Sequence, residues 1–270
     1  MKFFSNHYNK PGPGVDPNEP RKKGIRRFFE ILGREFGGFI ILNLFYFFAM
    51  FLSLMLFFLA DIGVLPRYVY ILSIIAAIPV GSACSTLVYC ISKMLRDDPE
   101  YVWYDIKRKF VEYFKQSIIP GILYTAFLYG QVFYWRNLIY STVEINTALF
   151  VIESLSLIVI GMVAPYFFLQ IAYVDLKLVQ IAKNSLLLSF ANLPRSIMGA
   201  FTGNLIWFLF WNMLPESLFA FPFMVLFAFS VSWLLCLMWV WSPVDKQFNI
   251  ENTIRERYEK HIDEKMKDNN

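Results

Sequence analysis

The chain has few of the residues on which enzyme active sites commonly depend. Only two histidines are present, His7 and His261, and both lie close to an end of the 270-residue chain. No paired carboxylates, no His-Glu-x-x-His, no Gly-x-Ser-x-Gly and no glycine-rich phosphate-binding loop with a lysine are found. The sequence therefore argues against an enzyme, and it contains no motif for ATP hydrolysis.

Cysteine is also scarce, and its positions exclude two further classes of site. The three cysteines, Cys84, Cys90 and Cys236, all fall inside apolar segments. Their spacing matches neither a zinc site nor the disulfide framework of a small secreted domain. We therefore expect no metal, no disulfide and no cofactor.

Charged residues make up only 17% of the chain, whereas 57% of residues are hydrophobic and 19% are aromatic. A soluble domain of this size could not bury so much apolar surface, so the composition predicts a membrane protein. A bilayer core about 30 Å thick requires roughly 20 apolar residues of helix. Six segments meet that length, and we predict an all-α bundle of six transmembrane helices at 38–60, 69–91, 118–140, 147–173, 199–217 and 219–241.

The positive charges predict how these helices are oriented. If both termini are cytoplasmic, 23 of the 25 lysines and arginines lie on the inner side, and only Arg67 and Arg136 lie outside. Cytoplasmic loops carry such an excess of basic residues. The sequence thus predicts a multi-pass protein of the cell membrane, and the net charge of +4 reflects this orientation and not nucleic-acid binding.

The chain divides into three regions by composition. Residues 1–24 are a basic arm rich in proline and glycine, for which we expect an extended conformation. Residues 25–241 form the membrane domain, which includes two cytoplasmic amphipathic segments, the elbows, at about 92–117 and 174–198. Residues 242–270 predict a cytoplasmic helix with apolar residues at every fourth position.

The second predicted span has an unusual run of small residues. Small side chains allow two helix backbones to approach closely in lipid, where apolarity alone does not favour association. We therefore expect this helix to lie inside the bundle. Pro165 occupies a comparable position in the fourth span, which suggests a degenerate repeat of span, elbow and span. The predicted packing residues are Pro79, Gly81, Ser82, Ser85, Thr86 and Pro165.

The two elbows offer candidate surfaces for a cytoplasmic partner or for lipid headgroups. In the first elbow Val102, Ile106 and Phe110 recur at every fourth position, which predicts an amphipathic helix with its lysines and arginines facing water or phosphate. Such a helix either anchors the bundle at the membrane surface or docks a partner. The residues assigned to this role are Trp103, Lys107, Arg108, Lys109, Phe110, Lys183, Phe190 and Pro194.

A few polar residues lie inside the predicted spans. Glu153 is the main candidate for a functional carboxylate, because ionisable residues within a membrane are costly and commonly have a function. A structural pairing of Glu153 with a side chain of another helix is an equally open interpretation, and for Asn43 a hydrogen bond between helices is favoured. The residues that could line one polar cavity are Glu153, Gln131, Asn43, Asn204 and Asn212.

Several short motifs occur in an order and spacing found in one bacterial family. They are Pro11-Gly12-Pro13-Gly14-Val15, Pro20-Arg21-Lys22-Lys23-Gly24, Phe28-Phe29-Glu30-Ile31-Leu32-Gly33, Asn43-Leu44, Ile78-Pro79-Val80-Gly81 and Leu95-Arg96-Asp97. In these motifs, and over nearly its whole length, the chain resembles the YesL family of integral membrane proteins. The resemblance implies a Gram-positive-type membrane protein associated with the use of complex carbohydrate, without established catalytic or binding residues.

Three functions are compatible with these observations. The first is a non-catalytic accessory subunit of an ATP-binding-cassette (ABC) importer for carbohydrate, which docks on the permease or ATPase through the elbows. The second elbow is faintly similar to the helix by which such permeases engage their ATPase, although Asn184-Ser185 replaces the expected glycine and acidic residue. The alternatives are an autonomous small-solute transporter or channel near Glu153, and a sensory or structural component. The expected partners are the lipid bilayer, an importer subunit or a second copy of the chain.

Overall fold

The structure, a computed structural model, describes residues 21–98, 101–140, 146–213, 220–257 and 260, without side-chain placement at 139–140, 210–213 and 220–221. Within these ranges the chain is helical and contains no strand, so the predicted all-α class is confirmed. The predicted arm before residue 21 and most of the predicted helix after residue 257 lie outside the described residues.

The helices follow one another with short connections. In chain order they are α1 (Ile25–Arg34), α2 (Phe36–Asp61), α3 (Val69–Ala76), α4 (Ile78–Arg96), α5 (Val102–Tyr140), α6 (Thr147–Tyr173), α7 (Leu178–Ala191), α8 (Leu193–Met213), α9 (Ala220–Phe223) and α10 (Phe229–Phe248). A π-helical turn, Met224–Ala228, leads into α10, and residues 250–257 are again helical.

Four helical segments of the described chain are long and apolar enough to cross a membrane. They are Phe36–Asp61, Val69–Arg96, Thr147–Tyr173 and Met224–Phe248. The membrane class predicted from composition is thus supported. The other two predicted spans fall in α5 and α8, where residues such as Gln131, Arg136 and Asn204 lower the apolar character.

The centre of the bundle is the antiparallel contact of α4 with α5. A side chain on Gly81 would come within 2.8 Å of the Gly121 Cα atom, so only glycine allows this approach. The Ser85 and Ser117 hydroxyls share a hydrogen bond of 2.9 Å, and the Ser82 hydroxyl donates to the Phe110 carbonyl. Small residues therefore bring the two backbones together and hydrogen bonds hold them in register.

Three further residues belong to the predicted packing set, two in α4 and one in α6. Pro79 lies in the first turn of α4, where its missing N–H costs no helical hydrogen bond, and α3 ends just before it. Thr86 is fully buried and donates to the Ser82 carbonyl at 2.8 Å. Pro165 lies inside α6 in a buried stretch that packs on α8 and α10.

The first elbow differs from the prediction of a separate surface helix. Residues 102–140 form one continuous helix of 39 residues, about 58 Å long at 1.5 Å per residue. No glycine or proline interrupts the chain between Val102 and Ile119, and contacts with α4 continue along this stretch, so nothing ends the helix at residue 117. The elbow and the third predicted span are therefore one element.

Candidate functional site

Three arginines surround the C-terminal end of α4. The last carbonyl groups of a helix have no partner within that helix and carry its negative partial charge, so cations bind favourably there. Each arginine donates to a different one of these carbonyls, and we call Arg21, Arg27 and Arg34 the arginine clamp. The contacts run from Arg21 to Arg96 at 2.8 Å, from Arg27 to Leu95 at 2.9 Å and from Arg34 to Met94 at 3.0 Å.

Asp97 gives the arginine clamp a common counter-charge. It follows α4 in a left-handed conformation with φ of 63°. Its carboxylate lies 3.2 Å from Arg21, 2.7 Å from Arg27 and 2.5 Å from Arg34. Partial burial opposes ionisation, but the hydrogen bonds from Arg27 and Arg34 prevail and lower the pKa of Asp97. The clamp therefore holds α1 and the end of α4 together through charged hydrogen bonds.

Arg96 extends this network across the bundle. Its guanidinium lies 5.1 Å from the ring centres of both Tyr173 and Trp241, and it donates to the Tyr173 hydroxyl at 2.7 Å. The Trp241 indole in turn donates to Glu251 at 3.0 Å, and Glu251 also pairs with Arg21. The ends of α4, α6 and α10 and the segment after α10 are thus joined, and we call this region the basic end.

Two lysines near the basic end are buried, which corrects one expectation. Lys109 was expected to face water, yet it is only 8% exposed and pairs with Glu112 at 2.8 Å. Its ammonium also lies 4.8 Å from the ring centre of Tyr89, so aromatic rings take the place of water. Lys93 pairs with Asp105 at 2.6 Å in a similar buried position.

Other residues of the first elbow face outward. Trp103 is 60% exposed, and the Lys107 ammonium lies 5.1 Å from its ring centre. Arg108 is exposed as well, and its guanidinium lies 4.0 Å from the Glu112 carboxylate. Phe110 is half-buried and packs edge-on against Phe45. The outward face of α5 therefore combines aromatic and basic side chains, while Lys109 and Phe110 support it from within.

The second elbow, α7, buries two serines and exposes several of its large apolar side chains. Ile181, Ser185 and Ser189 are buried at every fourth position, and Gln170 donates to Ser185 at 2.8 Å. On the outward face of α7, Val179, Leu186, Leu187 and Phe190 are exposed together with Lys183, and Pro194 is exposed in the first turn of α8. Because its inner face is held by hydroxyl hydrogen bonds, α7 presents its apolar face to lipid or to another protein.

At the opposite end of the bundle, Gln131 of α5 and Glu153 of α6 are in direct contact. The Gln131 amide donates to the Glu153 carboxylate at 2.6 Å and to Ser156 at 3.0 Å, and it accepts from the Trp135 indole at 3.0 Å. Arg136, in contrast, pairs with Asp61. Glu153 is therefore held by an amide and not by a described cation.

Two of the three asparagines, Asn43 and Asn204, have hydrogen-bond partners outside this cluster. Asn43 is fully buried and bonds the π-helical turn, donating to Val225 at 2.6 Å and accepting from the Ser230 N–H at 2.8 Å. Asn204 donates within α8, to the Ala200 carbonyl at 2.7 Å. The Asn212 side chain lies outside the described residues. Asn43 thus joins helices, as favoured above, because the widened turn exposes carbonyl groups that need a donor.

The arginine clamp is the arrangement that sequence reasoning missed. Its members are separated by about 60 to 75 residues from the carbonyls that they bind. One signal was available, since a carboxylate directly after a long apolar helix, as in Leu95-Arg96-Asp97, requires cationic partners in a region where charge is costly.

No protein-family model, no curated protein and no solved structure matches the chain. Within the described ranges, no group of three histidine, cysteine, aspartate or glutamate side chains could hold a metal ion.

Proposed function

We propose that this chain is a non-catalytic accessory subunit of an ABC-type carbohydrate importer, with six membrane spans and both termini in the cytoplasm. The carbohydrate class rests on the resemblance to the YesL family. The orientation rests on the distribution of lysine and arginine, and the clustering of Arg21, Arg27, Arg34 and Arg96 at one end is consistent with it.

The observation that supports docking is the contrast between the inner and outer faces of the two elbows. On the inner faces, buried polar groups such as Lys93, Lys109 and Ser185 have partners within the chain. On the outer faces, Trp103 and Phe190 are more than half exposed. Aromatic residues and arginine are enriched in protein interfaces. Apolar residues that are exposed singly are normal on a protein surface, whereas grouped ones mark an interaction site.

The importer subunit is expected to meet α5 and α7 at the basic end. The exposed cations of α5, Lys107 and Arg108, favour a partner surface that carries carboxylates. The apolar face of α7 favours a partner that continues into the membrane, because Leu187 and Phe190 together would otherwise be covered only by lipid. An importer permease with its bound ATPase offers both kinds of surface.

The proposal is tested by co-purification from native membranes in mild detergent, with cells grown on a complex glycan. We expect the importer permease and ATPase in stoichiometric amounts with the wild type, and their loss in the double variant Lys107→Glu, Arg108→Glu. A matched double variant, Lys23→Glu, Lys246→Glu, changes the same number of exposed charges elsewhere and should retain the partners. Recovery of the wild-type protein alone, or unchanged glycan uptake in the α5 variant, would contradict the proposal.

A further inference from the structure

The first half of α6 is the least covered part of the described membrane helices. Only 11% of its apolar window is buried, against 61% for the window in Val69–Arg96. On the side of α6 that carries Glu153, the exposed apolar side chains are Leu149 and Phe150, which are 49% and 39% exposed. Val151, Ile152, Leu155 and Ile158 are exposed around the rest of the helix. We call the side formed by Leu149, Phe150 and Glu153 the α6 face.

The Glu153 carboxylate is only partly satisfied by the chain. One oxygen accepts from Gln131 at 2.6 Å, with the Ser156 hydroxyl at 3.5 Å from the same oxygen. Among the described residues, no lysine, arginine or histidine nitrogen lies within 4.0 Å of it, since the nearby Arg136 is paired with Asp61. An unpaired carboxylate on an apolar face is costly in lipid and favours a cationic partner.

We infer that the α6 face binds a membrane-spanning helix of another subunit through a lysine or arginine of that helix. The partner cation would pair with the Glu153 carboxylate while its neighbours pack against Leu149 and Phe150. A second copy of the chain fits less well. Of the described cations at this end, only Arg67 is available, and it lies in the turn after α2, whereas Glu153 is about 9 Å into α6.

This inference rests on the proposed accessory role, and it names a second contact of the same complex, within the membrane. It also states the chemistry of that contact, a charge pair surrounded by apolar side chains. Such pairing specifies partner and depth together, because a cation at another level of the partner helix would leave both charges unpaired.

The test uses the full-length protein in phosphatidylcholine vesicles with a fluorescent poly-leucine transmembrane peptide that carries one arginine two turns from its outer end. We expect energy transfer between peptide and protein, which reports their association. The affinity should be about tenfold weaker for an all-leucine peptide and for the Glu153→Gln variant. The Gln131 amide can still donate to the new glutamine, so the fold should persist. Ser154→Ala, whose hydroxyl bonds only its own helix, is the matched control.

A charge exchange completes the test. Glu153→Lys should lose the arginine peptide and gain a peptide with glutamate at the same level. Equal association of all peptides, or association unaffected by Glu153→Gln, would overturn the inference, and so would self-association that depends on Glu153. The α5 double variant should bind the arginine peptide normally, so failure of the importer contact and failure of the α6 contact are distinguishable.

Discussion

Helices α4 and α6 look alike in sequence but occupy different environments. Both run towards the basic end, both carry a proline, and their apolar segments have similar mean hydropathy, 2.0 for Val69–Arg96 and 2.2 for α6. Yet α4 is surrounded by other helices, whereas the first half of α6 is largely exposed. Hydropathy thus reports that a helix is stable in lipid and says nothing of how many neighbours it has.

Side-chain size accounts for the difference. The stretch of α4 from Gly81 to Thr86 has only small side chains, and all six residues are buried. In α6 a comparable close approach is seen at Gly161, opposite Ala200, and burial increases from there towards Tyr173. Close approach of backbones, and not apolar character, decides which helix is central.

The largest effect is expected where the α4 contact itself is blocked. Gly81→Leu would force a side chain into the Gly121 backbone, and we expect a loss of at least about 3 kcal/mol in the free energy of unfolding. Gly130→Leu, on the outer side of α5 with open space around it, should be tolerated. Thermal unfolding in detergent measures both, and equal stability of the two variants would contradict the central role of α4.

Replacing one leucine by alanine on α4 and one on α6 compares how much each helix contributes to the free energy of unfolding. Leu87 on α4 is fully buried and Leu155 on α6 is 55% exposed. Leu87→Ala should cost about 2–4 kcal/mol because it leaves a cavity, and Leu155→Ala should stay within about 0.5 kcal/mol. A comparable loss for Leu155→Ala in detergent-purified protein would show that α6 is covered within the single chain.

The ends of the two helices are held by different chemistry. Asp97→Asn keeps a residue that tolerates the left-handed conformation but removes the counter-charge of three arginines, and we expect a loss of about 1–2 kcal/mol. Tyr113→Phe removes the hydroxyl that donates to the Ala172 carbonyl at 3.0 Å near the end of α6, with an expected loss of about 1 kcal/mol. Chemical denaturation of the two variants ranks these contributions.

The smallest expected effect is a difference in how the contacts at the end of α4 and at the end of α6 depend on pH. The pKa of Asp97 is lowered in the fold, so its contribution is complete above the ordinary pKa of aspartate and is lost as the pH falls through the lowered value. We expect the unfolding temperature to fall between neutral pH and about pH 3, and to fall less in Asp97→Asn. The hydrogen bond from Tyr113 to the Ala172 carbonyl joins two neutral groups, so Tyr113→Phe should keep the full acid sensitivity.

Much of the architecture was accessible from sequence, because long apolar runs and small residues act locally. The helical membrane class followed from composition, and the run from Gly81 to Thr86 indicated where two helices would meet. The continuity of α5 did not follow, because the basic residues around Lys107 suggested a surface helix, whereas the contact with α4 carries the helix past them.

The site was less accessible, because its contacts join distant parts of the chain. Glu153 and Gln131 could be named as polar residues of one end, but their pairing depends on the depth at which α5 and α6 meet. The arginine clamp depends on where α1 lies relative to the end of α4, which no local pattern states. Lys109 was misplaced for a related reason, since the tyrosines that bury it come from α4 as well as α5.

The continuous helix α5 has a mechanical consequence. Gly121, where it touches α4, stands midway between Val102 and Tyr140, with about 28 Å of helix on either side. Pro120 lies next to that point and removes one helical hydrogen bond there. The missing hydrogen bond makes Pro120 the point at which α5 bends most easily, between Trp103 at the basic end and Gln131 at the opposite end.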